Sequence, residues 1–361
     1  MADVPKLRAI RARGVLVPMK RPVVTASGAV AIAPLVLVDL ETDAGITGRS
    51  YVFTYTPAAL KPTADLIANM GAWLVGDALA PVALERKLQA RLRLLGPQGL
   101  AGFALSALDM AAWDASARAA GLPLARLLGG ACARQRAYNS CGLGLIGADA
   151  APREAEELAR GFAAIKLRLG YATLAEDLTV LRAVRGAVGP AIAILADYNQ
   201  GLDVPEAIRR AAALDAEGVA WIEEPTGFED DAGHAKIAAA ARTPIQLGEN
   251  WWGPQAMARS LAAGACDLAM PDAGKIGGVT GWLRAAALAE AARLPLSSHL
   301  YPEVSAQLLA VTPTAHWLEW VDWAEPVLAR PLAIEGGFAT PDESPGIGLD
   351  WNEAAIARLL A

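Results

Sequence analysis

The chain has 361 residues, of which 54% are hydrophobic and 19% charged, with three histidines and three cysteines. A chain of this size can bury a large core without disulfides, and about 150 residues per domain suggests two domains. No apolar run reaches the roughly 20 residues of a membrane-spanning helix, and the N-terminus lacks a hydrophobic signal segment. The composition therefore predicts a cytoplasmic protein without a membrane partner.

The charge pattern and the cysteines exclude two further classes of protein. The net charge is −6 and no block of basic residues is present, so we expect no nucleic-acid partner. Cys132, Cys141 and Cys266 are far apart and form no CxxC pair. Neither a disulfide framework nor a zinc-ribbon site is therefore expected, and reduced thiols fit better.

The first third of the chain predicts a small α+β domain over residues 1–130. Residues 7–58 alternate and are rich in β-branched side chains, with a turn signal at 42–45, which favours an antiparallel meander. From 57 to about 128 the apolar period becomes helical, and the last helix ends before Gly121.

From Arg136 onwards, short apolar strands alternate with helices of 10–15 residues. The predicted strands are 162–168, 191–197, 219–223, 245–249, 267–272, 295–299 and 316–319. Repeated βα units predict a parallel sheet. Seven or eight units in a row favour a (β/α) TIM-type barrel of the α/β class over an open sheet, and we place it at 131–330.

Nearly every predicted barrel strand ends in an ionisable residue. These residues are Lys166, Arg168, Asp197, Glu223, Glu249, Asp272, His299 and Glu319. The carboxyl ends of the strands carry the active site in barrels of this type, whereas interior strand positions are usually apolar. The pattern therefore predicts one shared active site at this end of the barrel.

Three of these residues predict a metal site. Asp197, Glu223 and Glu249 end three successive strands, and three carboxylates that converge repel one another unless a cation neutralises them. An all-oxygen ligand set suits Mg²⁺, with Mn²⁺ as the alternative. A carboxylate cluster that shares protons is the other interpretation.

The remaining strand ends supply cations and a candidate base. Lys166 and Arg168 are two residues apart, so both lie on one face of a strand, where they could bind an anionic substrate. His299 ends the predicted strand that comes after the one ending at Asp272. Asp272 could therefore orient the imidazole as a general base. Glu319 could act as an acid if an anionic neighbour held its carboxyl protonated.

The other two histidines are not expected to take part in catalysis. His316 lies inside a predicted strand and is interpreted as a core residue. His234 follows a cluster of Asp and Gly residues and is expected to be exposed.

Several motifs in order resemble the enolase superfamily, and within it the mandelate racemase subgroup. These motifs are ADYNQ (196–200), WIEEP (221–225), GENW (248–251), MPDAGKIGGVTGW (270–282), SSHL (297–300) and HWLE (316–319). The N-terminal segments VPMKRPVVTASGAVAIAPLVLVDL and SYVFTYTPAALK extend the resemblance over nearly the whole chain. It implies a modified barrel, an N-terminal α+β capping domain, and a last segment (331–361) that returns to the capping domain.

The resemblance also implies roles for individual residues. Asp197, Glu223 and Glu249 would be the metal ligands, and His299 paired with Asp272 would be the base on one face of the substrate. Lys166 and Glu319 would polarise the substrate carboxylate as an enolate forms. Further substrate contacts would come from Ser140, Asn199 and Lys275, and from an apolar lid formed by Val23, Val24, Val30, Phe53 and Tyr55, within which Ser27 is polar.

One departure from the family pattern leaves two reactions open. The family motif is Lys-x-Lys, whose second lysine is a base on the other face, but this chain has Arg168 there. A guanidinium rarely gives up its proton, which favours dehydration of a 2,3-dihydroxy (sugar) acid by the single base His299. The apolar lid instead favours racemisation or epimerisation of an apolar or aryl 2-hydroxy acid.

Two further expectations follow. The partner is a small carboxylate substrate, and the resemblance implies a homo-oligomer, often an octamer.

A non-catalytic binding protein that retains the fold is the interpretation from another class, and Arg168 is the one feature that supports it. Muconate-type cycloisomerisation is a third enzymatic alternative, although that subgroup commonly has lysine in place of His299.

Overall fold

The computed structural model describes residues 4–26 and 28–361, so Ser27 of the lid segment lies outside the described residues. The chain begins with an antiparallel sheet of β1 (Leu7–Thr25), β2 (Gly28–Thr42) and β3 (Thr47–Phe53), in that order. The turn between β2 and β3 falls at the predicted position, where the Ile46 N–H donates to Thr42 Oγ1 at 3.1 Å. The predicted meander is confirmed.

Helices cover one face of this sheet. They are α1 (Pro57–Ala72), α2 (Pro81–Arg91), α3 (Gly99–Ala120) and the short α4 (Leu124–Leu127). The α3 helix ends at Gly121, whose φ of 67° is left-handed and favours glycine. It packs closely on β3, because a Cβ on Gly48 would lie 2.1 Å from the Ala111 carbonyl oxygen.

The barrel follows in alternating strands and helices. Its elements are β4 (Gln135–Asn139), α5 (Ala151–Ala159), β5 (Ala164–Arg168), α6 (Leu174–Val188), β6 (Ala193–Asp197), α7 (Val204–Leu214), β7 (Trp221–Glu223), α8 (Asp231–Ala240), β8 (Ile245–Leu247), α9 (Pro254–Ala263), β9 (Leu268–Ala269), α10 (Gly278–Ala292), α11 (Pro302–Leu309) and β10 (Leu318–Trp320). Strands β4 to β9 pair in parallel in chain order, and β10 pairs with β4. Parallel bridges from Leu296 to Ala269 and to Ala315 close the ring. The predicted (β/α) barrel is confirmed.

Two barrel strands differ from the sequence prediction. Strand β4 was not predicted, because its sequence, QRAYN, contains no apolar run; pairing with β5 and β10 on its two sides creates it. The predicted strand 295–299 forms only isolated bridges, one of which joins Asp272 and His299. Both differences arise because neighbouring strands, rather than local composition, determine these extended segments.

The C-terminal segment contacts both parts of the molecule. Strands β11 (Ile334–Glu335) and β12 (Phe338–Ala339) form a hairpin, and β12 pairs with β4 of the barrel. Helix α12 (Glu353–Leu359) reaches back to β1, where Arg13 pairs with Glu353 at 2.6 Å. The chain end therefore ties the capping sheet to the barrel.

Two expected absences can be compared with the structure. The thiols of Cys132, Cys141 and Cys266 are free. Within residues 4–26 and 28–361, no helix combines the length and the apolarity that crossing a membrane requires.

A buried carboxylate joins α3 to the barrel. Asp109 accepts hydrogen bonds from the Thr280 N–H at 2.9 Å and from Thr280 Oγ1 at 2.5 Å, in the first turn of α10. Gly278 makes this approach possible, since a Cβ there would lie 2.5 Å from Asp109 Oδ2. Burial raises the pKa of Asp109 to about 7, although the hydrogen bonds from Thr280 oppose the rise.

Asp109 should therefore make stability depend on pH. Its folded-state pKa lies above the ordinary value of 3.8, so the native protein binds an extra proton between the two values, and the free energy of unfolding falls as pH rises from about 4 to 7. We expect Asp109→Asn to remove this component, roughly 4 kcal/mol at most. Urea unfolding at intervals from pH 4 to 8 measures it.

A second buried acid provides an independent comparison. Glu303 accepts a hydrogen bond from the Tyr51 hydroxyl at 2.8 Å, and burial raises its pKa to about 7. Glu303→Gln should flatten the same pH dependence, and the double variant should flatten it further. An unchanged slope in Asp109→Asn would contradict the assignment of this component to Asp109.

Candidate active site

A cavity of about 580 Å³ opens at the carboxyl ends of the barrel strands. The strand-end residues that line it are Lys166, Arg168, Asp197, Glu249, His299 and Glu319. Glu223 and Asp272 are fully buried beside these residues. All eight predicted strand-end residues therefore gather in one region, because parallel strands place their carboxyl ends at the same rim.

Three carboxylates form the floor of this region. Asp197 and Glu223 are paired neighbours in the register of β6 and β7, and Glu249 lies two residues beyond β8. Each offers one oxygen, and the three oxygens lie within 4.8 Å of one another. Burial raises the pKa of Glu223 to about 8, and the other two carboxylates add to the rise despite Lys166. This buried, all-oxygen donor set fits a hard divalent cation.

Lys166 links these carboxylates to the opposite wall. Its Nζ lies 2.7 Å from Glu223 Oε1, 2.8 Å from Glu319 Oε1 and 3.4 Å from Asp197 Oδ2. Burial lowers the pKa of Lys166, but the surrounding carboxylates outweigh burial and raise it well above its ordinary value. Lys166 is therefore a fixed ammonium ion inside the cavity.

The groups around Glu319 favour its ionised form. Burial raises the pKa of Glu319, but Lys166 and His299 lower it by more than burial raises it, so the net shift is downward. The Leu300 N–H also donates to Glu319 Oε2 at 2.7 Å. The acid role predicted for Glu319 depends on an anionic neighbour that holds its carboxyl protonated, whereas its carboxylate oxygens contact the Lys166 ammonium and the Leu300 N–H.

His299 and Asp272 form a hydrogen-bonded dyad. His299 Nδ1 lies 2.7 Å from Asp272 Oδ2, while Asp272 Oδ1 accepts from the N–H of Gly274 at 2.7 Å. A carboxylate only accepts hydrogen bonds, so Nδ1 carries a proton towards Asp272, and Nε2 is the nitrogen that would accept the substrate's proton once the imidazolium has lost its own. Burial lowers the pKa of His299. The neighbouring carboxylates of Glu249, Glu319 and Asp272 outweigh burial and raise this pKa to about 9.

Arg168 is held by the loop that follows β4. Its Nη1 donates to the carbonyls of Ser140 and Gly142, and its Nη2 donates to Ser140 Oγ at 3.0 Å. Ser140, which the resemblance names as a substrate contact, is 1% exposed and is not among the residues that line the cavity. Three oxygen acceptors therefore anchor the guanidinium.

The upper wall of the cavity is apolar and aromatic. Its predicted members Val23, Val30, Phe53 and Tyr55 line the cavity, whereas Val24 does not. The predicted substrate contacts Asn199 and Lys275 line it as well. Among these, Asn199 donates through its N–H to Asp197 Oδ1 at 2.8 Å and through Nδ2 to Asp197 Oδ2 at 3.0 Å.

The sequence analysis missed three aromatic residues of this wall. Phe103 and Trp252 pack edge to face with ring centroids 5.2 Å apart, and Trp323 lies 5.1 Å from Phe53. Trp252 follows the GENW motif directly, so its place near a strand end could have been noticed. Phe103 lies on α3 of the N-terminal part, and no local signal connects it to the barrel.

The other histidines lie outside the cavity. His234 is fully buried in α8, which corrects the prediction that it is exposed; its Nδ1 contacts the Asp230 carbonyl oxygen at 3.1 Å. The prediction was wrong because the Asp-Gly cluster caps a helix rather than forming a surface loop. His316 is partly buried, and Ser297 Oγ lies 3.3 Å from its Nδ1.

Two family models match the chain. Residues 9–129 match the mandelate racemase / muconate lactonizing enzyme N-terminal domain, and residues 150–355 match the enolase C-terminal domain-like family. Among characterised relatives, L-talarate/galactarate dehydratase of Salmonella typhimurium is 34% identical, over 72% of this chain and 66% of that protein. D-galactarolactone cycloisomerase of Agrobacterium fabrum is 30% identical, over 90% of both chains.

Solved structures extend the similarity over the whole chain. The crystal structure of an enolase from Bradyrhizobium, complexed with magnesium and mandelic acid, is 46% identical, covers 100% of both chains and superposes with a TM-score of 0.96. The relatives are isomerases and lyases, and the barrel and the capping sheet agree with the expectations from the sequence. The chain belongs to the enolase superfamily, in the mandelate racemase and muconate lactonizing enzyme family.

Proposed function

We propose that this protein abstracts the α-proton of a 2-hydroxycarboxylate with the help of a divalent cation, Mg²⁺ or alternatively Mn²⁺, and racemises an apolar or aryl substrate through its enolate. The observation that carries the proposal is the His299–Asp272 dyad, which lies at the same end of the barrel as Lys166 and three converging carboxylates. The arrangement provides a base and cations for the charge that forms when a weakly acidic proton leaves.

Asp197, Glu223 and Glu249 would hold the cation, which supplies positive charge that stabilises negative charge developing on the substrate oxygens. Lys166 adds a second fixed positive charge, held in place by Glu223 and Glu319. His299 Nε2 takes the α-proton. Asp272 keeps the imidazole in the required tautomer and stabilises the imidazolium ion that results.

The lining of the cavity supports an apolar or aryl substrate. Val23, Val30 and Phe53 present no hydrogen-bonding side chains, and each hydroxyl left unpaired against such a wall costs about 1–3 kcal/mol. The similar Bradyrhizobium enolase was crystallised with mandelic acid. Both observations favour an aromatic or aliphatic group on the reacting carbon.

The anchored guanidinium of Arg168 favours a second candidate function, dehydration of a 2,3-dihydroxy acid to a 2-keto acid. Racemisation needs a proton acceptor on each face of the substrate, whereas dehydration needs only one. Arg168 donates hydrogen bonds to Ser140 and Gly142 and offers no lone pair. The similar Salmonella protein is a dehydratase.

Incubation with candidate acids in D₂O tests the proposal. We expect deuterium to enter the α-position of mandelate or a related acid, and EDTA to abolish the exchange. Interconversion of the enantiomers supports racemisation, and release of a 2-keto acid supports dehydration. Exchange that resists EDTA, or no exchange with any acid of either class, would contradict the proposed function.

Replacing Arg168 by lysine should change the stereochemical outcome. A lysine amine can lose its proton where a guanidinium cannot, so exchange of the slower enantiomer should rise by about tenfold or more. Exchange of each mandelate enantiomer, followed by NMR in D₂O, measures the effect. Arg209→Lys, at a surface position, is the matched control and should change neither rate.

Equal exchange of both enantiomers by the unaltered protein, with no gain in Arg168→Lys, would show that Arg168 does not limit the reaction to one face.

A further inference from the structure

Lys20 lies on a bulge of strand β1 that comes just before a residue of the cavity wall. Residues 19–22 of β1 stand opposite the single residue Ala31 of β2. A bulge of this kind bends its strand and turns side chains in new directions. Val23 is the next residue of β1 that pairs with β2, and it lines the cavity. The way the bulge is held therefore affects where Val23 lies.

Two carboxylates of the barrel hold the bulge through Lys20. Lys20 Nζ lies 3.0 Å from Asp322 Oδ2 and 3.0 Å from Glu325 Oε2, in the segment that follows β10. The Asp322 side chain is only 8% exposed, and a buried charge needs a partner. The next residue of the bulge, Arg21, pairs with Glu157 of α5 at 3.1 Å. Ion pairs to the barrel therefore hold the bulge on both sides.

The segment after the bulge packs on the loop that follows β4. The Leu145 N–H donates to the Val24 carbonyl oxygen at 2.8 Å. The approach is close, because a Cβ on Gly144 would lie 2.6 Å from the Val24 nitrogen. Asp322 contacts the same loop, since its N–H donates to Cys141 Sγ at 3.3 Å. One residue, Asp322, therefore contacts both the bulge and the loop on which β1 packs.

We infer that Lys20 is a positioning residue that gives the cavity its selectivity for an apolar substrate group, because its ion pair with Asp322 holds Val23 in the cavity wall. Lys20 is 61% exposed and is not one of the described residues that line the cavity, so it acts through β1. Without the ion pair, apolar contact between Val23 and the substrate is lost. The inference rests on the proposed function, because it takes the substrate to be a 2-hydroxy acid with an apolar group.

The test compares mandelate, which carries a ring, with lactate, which carries a methyl group, in α-proton exchange with Mg²⁺ present. We expect Lys20→Met to raise KM for mandelate about 3-fold to 10-fold, since each exposed ion pair contributes at most about fivefold to an equilibrium constant. The values of kcat, and KM for lactate, should change less than about twofold. Lys20→Arg keeps the charge and should keep the ratio of the two KM values.

A matched control and a second measurement separate positioning from other effects. Lys61→Met removes an exposed lysine that is also paired with an aspartate, on α1, and should leave the KM ratio unchanged. Amide hydrogen exchange needs no substrate. The Leu145 N–H, which donates to Val24, should exchange faster in Lys20→Met than in the unaltered protein, and at the unaltered rate in Lys61→Met.

The outcomes that overturn the inference differ from those that overturn the proposed function. Equal changes in KM for both acids, or unaltered amide exchange at Leu145 in Lys20→Met, show that Lys20 does not position Val23, while the proposed function stands. If the unaltered protein exchanges no 2-hydroxy acid, the proposed function fails. Calorimetric binding with Mg²⁺ then decides: weaker binding of mandelate alone in Lys20→Met supports the inference, and equal or absent changes for both acids overturn it.

Discussion

His299→Asn is expected to lower α-proton exchange with the enantiomer whose proton faces this residue by about 10²–10⁴-fold. Asparagine can still donate to Asp272 but has no basic nitrogen, so the geometry of the dyad is kept and the proton acceptor is lost. Deuterium incorporation at the α-carbon, measured by NMR in D₂O at saturating acid, gives the change in rate.

The matched control is His316→Asn, which removes a histidine that does not line the cavity. It should keep exchange close to the unaltered rate. Asp272→Asn should also lower exchange strongly, because an amide can donate to Nδ1 and favour the tautomer that lacks a free Nε2. If His299→Asn retains exchange within about tenfold, another group is the base and the proposed mechanism is wrong.

Removal of divalent cations is expected to abolish exchange and to destabilise the fold. Asp197, Glu223 and Glu249 repel one another in a buried site, so a bound cation should stabilise the native state. At a concentration 100 times its dissociation constant, such a ligand contributes about 2.7 kcal/mol. We expect EDTA to lower the melting temperature and Mg²⁺ or Mn²⁺ to restore it, a readout that does not depend on turnover.

Glu223→Gln should weaken this cation-dependent shift, because it removes one anionic ligand and leaves Lys166 with one fewer carboxylate. Glu303→Gln, another buried glutamate but one hydrogen-bonded to Tyr51, should keep the shift. A melting temperature that does not respond to Mg²⁺ in the unaltered protein would contradict the assignment of these carboxylates to a cation site.

Much of the fold could be predicted because most elements have a local signal. Helix α6 is one of the helices of 10–15 residues expected between the strands, and Thr173 and Glu176 form a capping box at its start. Strands β5 and β6 are apolar runs that end in charged residues, and both end at the predicted positions. Strand β4 has no such run, so its existence depended on neighbours distant in sequence.

The candidate site divides in the same way. Charged residues at the ends of apolar strands mark the barrel rim in any sequence of this type, which is why the residues at the strand ends could be named beforehand. The lowered pKa of Glu319 could not be predicted, because it depends on Lys166, which lies 153 positions earlier in the chain and 2.8 Å away. The burial of His234 likewise depended on how α8 packs.

The sequence by itself determined the alternation of strands and helices, the set of ionisable residues at one rim, and the histidine and aspartate available as a dyad. These are local properties, since period, composition and strand ends depend on neighbouring residues. Only the tertiary structure decided which acceptors hold Arg168, that Phe103 of α3 reaches the cavity, and that Tyr55 and Lys275 lie together. Such contacts join residues far apart in the chain, where packing and charge, rather than local pattern, set the geometry.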